Sequence, residues 1–148
     1  MFSISQLNVG SGLIGMCPMP GRFSRYKDDL QNILLWQPRL VVTVTLLEEL
    51  NSVGAKNLPY DLGSEQILWR HLPIKDLGVL EKEDFNWDSI LELIRKILSE
   101  NGRVLCHCFG GCGRSGMITL RLMSEHGEDC KQALKRLRTV RACAVENE

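Results

Sequence analysis

No stretch restricts this chain more than Val104-Leu105-Cys106-His107-Cys108-Phe109-Gly110-Gly111-Cys112-Gly113-Arg114-Ser115-Gly116. The apolar run predicts a short buried strand over Val104–Cys106, then a glycine-rich loop, then a helix opening near Arg114. Gly110, Gly111, Gly113 and Gly116 let the backbone curl tightly and take positive φ where the turn demands it. A loop curled this way turns successive N–H groups inward and forms an anion cradle. The helix behind it adds the positive end of its dipole to the same spot.

If the anion is a phosphate ester, each residue type has work to do. Cys108 is the candidate nucleophile, because the thiolate is the reactive form and inward N–H groups, a helix N-terminus and Arg114 all favour it. Arg114 offers a planar fork for two phosphoryl oxygens, which Lys cannot copy. The backbone of Phe109, Gly110, Gly111, Cys112, Gly113 and Arg114 is the expected phosphate cradle, aimed at charge that builds on the equatorial oxygens. Ser115 can donate its hydroxyl to the sulfur when Cys108 must leave. His107 is expected to brace the loop through backbone hydrogen bonds, not to act as a base. Cys106, His107, Cys108 and Cys112 are also residue types that bind zinc. No second Cys/His pair stands at ribbon or finger spacing, so no metal is expected. Cys112 has two readings: a small apolar packing residue, or a partner that captures an oxidised Cys108 as a disulfide.

His107-Cys108, five intervening residues and Arg114-Ser115 resemble the signature of the cysteine-dependent protein tyrosine phosphatase superfamily. The fuller string HCFGGCGRSG is similar to the loop of the kinase-associated dual-specificity phosphatases, the group acting on cyclin-dependent kinases. Gly15-Met16-Cys17-Pro18-Met19-Pro20-Gly21 is similar to their opening segment. The resemblance runs from about Leu13 to Glu148 and makes 1–148 a single phosphatase domain. It implies a three-layer α/β fold with a mainly parallel central sheet flanked by helices, a phosphocysteine intermediate, no cofactor, and a phosphoprotein substrate.

It also implies a general acid: an Asp on a loop just after a strand and a proline. Asp76 stands there, in His71-Leu72-Pro73-Ile74-Lys75-Asp76-Leu77-Gly78, although relatives tend to show Asp-Gly-Gly. Asp84 and Asp88 are rivals, placed where acids suit the dipole of the next helix anyway. Relatives continue into a water-placing Gln, and Ala142–Glu148 stops before it. Either the chain is truncated or water is placed differently.

Length and composition fit one domain with a proper core: 148 residues, 44% apolar and 24% charged. Eighteen basic and eighteen acidic residues cancel, so nothing global argues for nucleic acid or an anionic membrane as partner. No run approaches the ~18 apolar residues of a membrane span. Met1–Gly15 lacks the basic start and apolar core of a secretory leader. A reactive cysteine needs reducing surroundings, so a cytoplasmic protein is expected, its six cysteines free. A phosphatase of a non-protein phosphoester and a non-catalytic phosphate-binding module are the alternatives. The absence of Lys between Cys108 and Arg114 speaks against phosphoinositides, and the intact Cys108, Asp76 and Arg114 against a pure binder.

The remaining elements follow from periodicity and stop signals. Strands are expected over Ile4–Val9, Leu13–Cys17, Leu40–Thr45 and Ile67–Leu72. Helices are expected around Leu30–Trp36, over Leu46–Val53, from Trp87 to Leu98, over Met117–Met123, and after Asp129 with Ala133, Leu134, Leu137 and Val140 inward. Pro59–Gly63 reads as a turn or loop. Arg22, Arg25 and Lys27 read as a solvated helix start, the alternative being that one of them faces the phosphate site. His71 reads as structural. Lys131, Lys135, Arg136, Arg138 and Arg141 read as a solvated outer face.

Overall fold

A computed structural model describes residues 1–74 and 87–145 of the chain. Five strands form one sheet: β1 (Ser5–Val9), β2 (Gly12–Cys17), β3 (Leu40–Thr43), β4 (Leu68–His71) and β5 (Arg103–His107), in the order β1-β2-β5-β3-β4. β1 is antiparallel to β2, and the other pairings are parallel. The sheet is thus mixed but mainly parallel, as the alternation of strands with helices requires.

Alternation along the strands feeds two separate cores. Ile14, Met16, Leu40, Val42, Val104 and Cys106 face α4 (Trp87–Ser99), α5 (Gly113–Glu125) and α6 (Cys130–Val140). Val41, Leu105 and Cys17 face the other way, toward α1 (Tyr26–Trp36), α2 (Leu47–Ser52) and α3 (Leu58–Ser64). The result is helices, sheet, helices. Trp87, Ile90, Leu91, Ile94, Ile97 and Leu98 form the buried stripe of α4 that their spacing predicts. α1 stops at Gln37, whose left-handed φ of 59° lets its N–H reach the Leu34 carbonyl.

Two expectations need correction. Pro59–Gly63 is not a turn but the body of α3. Pro59 sits in the first helical turn, where its missing N–H costs nothing, and Leu58 and Leu62 are buried one turn apart. Val140 is exposed rather than inward, as the last residue of α6.

The register sets one row of residues across the carboxyl ends of four strands. Cys17 and Thr43 both align with His107, and His71 aligns with Thr43. The loops that leave these strands therefore gather at one end, the end at which open α/β sheets bind ligands.

α6 opens on Asp129, whose carboxylate accepts the Gln132 N–H at 3.2 Å. Asp129→Ala removes that cap and should lower unfolding free energy by about 1 kcal/mol, read by chemical denaturation. An unchanged midpoint would mean that water replaces the cap fully.

Candidate active site

β5 ends at His107, and the chain curls at once into the loop 108–112 before α5 begins. Gly111 has φ +77°, and a Cβ there would lie 2.5 Å from the Pro18 nitrogen and 2.7 Å from the Cys17 carbonyl carbon. Only glycine satisfies both the backbone angle and the approach of the β2 exit. That curl brings the Gly111 N–H onto Cys108 Sγ at 3.2 Å. On its other side Sγ lies 3.3 Å from Ser115 Oγ, in the first turn of α5. Cys108 is buried, 2% exposed, between a backbone donor, a hydroxyl and a helix N-terminus. Sequence reading expected Ser115 at the sulfur, and the structure places it there.

Arg114 is buried, at 3% exposure, which is costly for a cation without partners. Glu49 of α2 supplies a two-pronged pair, accepting from Nη1 at 2.7 Å and Nη2 at 2.8 Å. The Ile74 carbonyl accepts from Nη1 at 2.9 Å. Glu49 is itself fixed, because it also accepts the Leu46 N–H at 3.0 Å, half of a capping box at the start of α2. Burial works to raise the Glu49 pKa, but the hydrogen bonds from Arg114 and Leu46 and the charge of Arg114 outweigh it and hold the carboxyl below its ordinary range.

His107 is fully buried at the base of the loop. Its Nε2 lies 2.7 Å from Thr43 Oγ1, and its Nδ1 lies 3.4 Å from the Cys108 carbonyl oxygen. The Trp69 indole N–H donates to the same Thr43 oxygen at 2.7 Å. With that lone pair taken, the Thr43 hydroxyl can donate to Nε2, which puts the ring proton on Nδ1, facing the Cys108 carbonyl. Burial pushes the His107 imidazole down to about 4, so the ring is neutral at ordinary pH. His71 is structural, as read: its Nε2–H donates to the Thr45 carbonyl at 2.6 Å, and its ring stacks on Trp69.

The cysteine reading is corrected. Cys112 does not pair with Cys108. It is joined by a disulfide to Cys143, with Cα atoms 5.2 Å apart. The six thiols are therefore not all free. The reason is the path of the C-terminal segment, which returns to the loop after α6: the Val145 N–H reaches the Cys112 carbonyl at 3.4 Å, and Gly116 has no side chain to obstruct Ala144. Cys17, Cys106, Cys108 and Cys130 remain free. Burial pushes the thiol of Cys106 up to about 12 and that of Cys17 well up, which leaves both inert.

Four neighbours of the site are not apparent from the sequence. Glu49 carried a local signal only, the capping spacing after Leu46. Arg141 was read as solvated, yet its Nε–H donates to the Gly111 carbonyl at 2.7 Å, on the outside of the loop. Arg138 likewise donates to the carbonyls of Ala144 and Val145 and pins the returning segment. Thr43 offered no signal beyond its place in a strand. Of the carboxylates considered as acid, Asp76 and Asp84 lie outside the described residues, and Asp88 is exposed in the first turn of α4. Among the described residues no group of His, Cys, Asp and Glu is arranged to hold a metal ion. No helix there is long and apolar enough to cross a membrane.

Residues 14–128 match the family model described as "Polymorphic toxin system, DSP-PTPase phosphatase". Dual specificity protein phosphatase 1 of Arabidopsis thaliana is 30% identical over 131 residues, covering 82% of this chain and 66% of that protein. Cyclin-dependent kinase inhibitor 3 of Rattus norvegicus is 30% identical over 148 residues, covering 93% and 67%. The chain thus spans about two thirds of the length of the curated relatives it matches. Among solved structures, kinase associated phosphatase superposes with a TM-score of 0.85 at 21% identity, covering 99% of this chain and 88% of that one. Tk-PTP in its active form gives 0.70 at 27% identity, covering 90% and 83%. The fold expected from the sequence is the fold these structures share.

Two groups, the buried His107 and the partly buried Glu49, make stability fall on the acid side, in different windows. Unfolded histidine takes a proton near 6.5, whereas native His107 resists until about 4. The contribution of His107 is therefore complete above ~6.5 and declines as pH falls through that interval, by roughly 3 kcal/mol at most. Urea titrations of wild type and His107→Gln at several pH values should converge as the pH is lowered, and parallel curves would count against a buried neutral ring. The Glu49 contribution is complete above the ordinary carboxylate value, ~4.3, and is lost as pH falls through the lower native one. Glu49→Gln should cost about 1–3 kcal/mol at neutral pH, less than a fully buried pair because Glu49 is 22% exposed. A neutral effect in denaturation would mean that Arg114 finds another partner.

Proposed function

The chain belongs to the dual-specificity type of the protein tyrosine phosphatase family, and from that membership we propose that it hydrolyses phosphate monoesters on protein, phosphotyrosine and phosphoserine/threonine, through a phosphocysteine intermediate. The observation that carries this reading is the surrounding of one sulfur. Cys108 Sγ sits between the Gly111 N–H and Ser115 Oγ at the mouth of α5, beside a buried guanidinium held in plane by Glu49.

In the first step Cys108 attacks phosphorus as a thiolate. The S–P bond forms as the bond to the leaving oxygen breaks, and Asp76 gives that oxygen its proton. The backbone N–H groups of Phe109, Gly110, Gly111, Cys112, Gly113 and Arg114, with the Arg114 fork, meet the charge that spreads over the equatorial oxygens. In the second step water attacks phosphorus, its proton passes to the Asp76 carboxylate, and the S–P bond breaks. Ser115 stabilises the departing thiolate with its hydroxyl. His107, neutral and hydrogen-bonded on both ring nitrogens, keeps the Cys108 backbone in place and takes no proton. No metal or cofactor enters either step.

The substrate in this reading is a phosphorylated protein, and the described residues belong to one catalytic domain. Cyclin-dependent kinases are the first candidates, given what the relatives are called. The proposed compartment is the cytoplasm, because a catalytic thiol needs reducing conditions. There the Cys112–Cys143 bond is itself open to reduction.

Two variants test the mechanism. Cys108→Ser should abolish turnover while phosphopeptide binding persists, since the hydroxyl is a far poorer nucleophile and the cradle remains. Asp76→Asn should slow esters with poor leaving groups by about 10²–10⁴ and spare those whose leaving group is stable as an anion. Equal losses for both ester classes would make Asp76 structural, and wild-type rates in Cys108→Ser would end the covalent mechanism.

A further inference from the structure

We propose that Arg22 is a specificity-determining residue that reads an acidic side chain beside the phosphorylated residue of a protein substrate, from a fixed seat on the rim of the phosphate loop. The inference rests on the phosphoprotein reading above and names the kind of sequence that the site selects.

The seat is built from the loop itself. The Arg22 guanidinium lies 4.4 Å from the centroid of the Phe109 ring and 4.6 Å from that of Phe23. Its Nη1 would lie 3.1 Å from a Cβ placed on Gly110. The cation therefore stands directly over the two residues that follow Cys108, and glycine at 110 makes room for it. Two aromatic faces hold the guanidinium by cation–π attraction, and Arg stacks this way better than Lys.

The backbone that carries Arg22 is tied to the same loop. The Arg22 N–H donates to the Met19 carbonyl at 3.1 Å, and the Met19 N–H donates to the Phe109 carbonyl at 3.0 Å. Gly21 holds φ +94° and donates its N–H at 2.8 Å to Asp29, a carboxylate only 1% exposed. Ser24 Oγ donates to the other Asp29 oxygen at 2.6 Å. A buried acid is thus spent on the shape of this turn and not on neutralising its cation.

Charge and exposure complete the case. Arg22 is exposed, and among the described residues no carboxylate pairs with it. Its neighbours on the loop are engaged otherwise: Arg114 with Glu49, and Arg141 with the Gly111 carbonyl. A guanidinium already held in place loses little freedom when it takes a carboxylate, so the contact yields more than a loose surface pair. Phe23, 49% exposed, adds an apolar surface beside it, which suits a peptide rather than a bare anion. The balanced net charge gives no broad field for a polyanion, so recognition has to be local.

The test measures binding of phosphotyrosine peptides to the Cys108→Ser protein, which does not depend on turnover. One peptide series carries Asp or Glu next to the phosphorylated residue, and a matched series carries Asn or Gln. At low salt the acidic series should bind about three- to tenfold more tightly. Raising salt to ~0.5 M should shrink that ratio. Adding Arg22→Gln should bring it close to one, and Arg22→Lys should restore only part, because the planar fork is missing. No acidic preference in the parent, a preference that survives Arg22→Gln, or failure of both series to bind would overturn the proposal. Wild-type turnover is measured in parallel. Turnover without an Arg22-dependent preference overturns this inference alone; an Arg22-dependent preference without turnover overturns the hydrolase reading alone.

Discussion

The site depends first on how a guanidinium is kept inside the protein. Arg114 is all but inaccessible to water, and an unpaired charge there would cost several kcal/mol. Glu49 removes that cost with two parallel hydrogen bonds, and the Ile74 carbonyl adds a third. These contacts join α2, the segment after β4 and the first turn of α5, three pieces far apart in sequence. The pair does more than neutralise charge. It fixes the plane of the fork, and the plane is what lets two oxygens be met at once.

A second chain of bonds works from the sheet outward. The Trp69 indole N–H, the Thr43 hydroxyl, the His107 ring and the Cys108 carbonyl follow one another across β4, β3 and β5. Each member is fixed by strand register, so the first residue of the loop inherits the rigidity of the sheet. A neutral histidine suits this task, because burial penalises a charged ring and the nearby Glu49 carboxylate is already engaged by Arg114. The loop is thus held from below by the sheet, from the side by α2 and from outside by Arg141.

How much of this was legible depends on distance along the chain. The strand, loop and helix around Cys108 were readable because glycine, cysteine and arginine are unusual there and lie close together. The stripe of α4 and the start of a helix after Asp129 were readable because both are local patterns. α3 was not, since Pro59 and Gly63 are turn residues in most settings and only the burial of Leu58 and Leu62 shows the helix. The partners of Arg114, Gly111 and Cys112 were hidden for one shared reason. Glu49 is 65 residues from Arg114, Arg141 is 30 from Gly111, and Cys143 is 31 from Cys112. Such pairs are chosen by topology, and six cysteines allow too many pairings for spacing to decide. Proximity in sequence favoured Cys108 for Cys112, and the fold brings a different thiol.

The bond between Cys112 and Cys143 also changes how the molecule carries load. It closes a covalent ring in which α5 and α6 are one arm and the sulfur bridge is the short arm. Tension applied at residues 144 and 145 passes through the bridge to Cys112 and on toward β5, in the middle of the sheet. α5 and α6 lie outside that path and bear none of it. With the bridge reduced, the same tension would instead peel α6 and then α5, turn by turn, before reaching the loop. The oxidation state of one bond thus decides whether a pull on the C-terminal segment is felt first by a helix or by the phosphate loop.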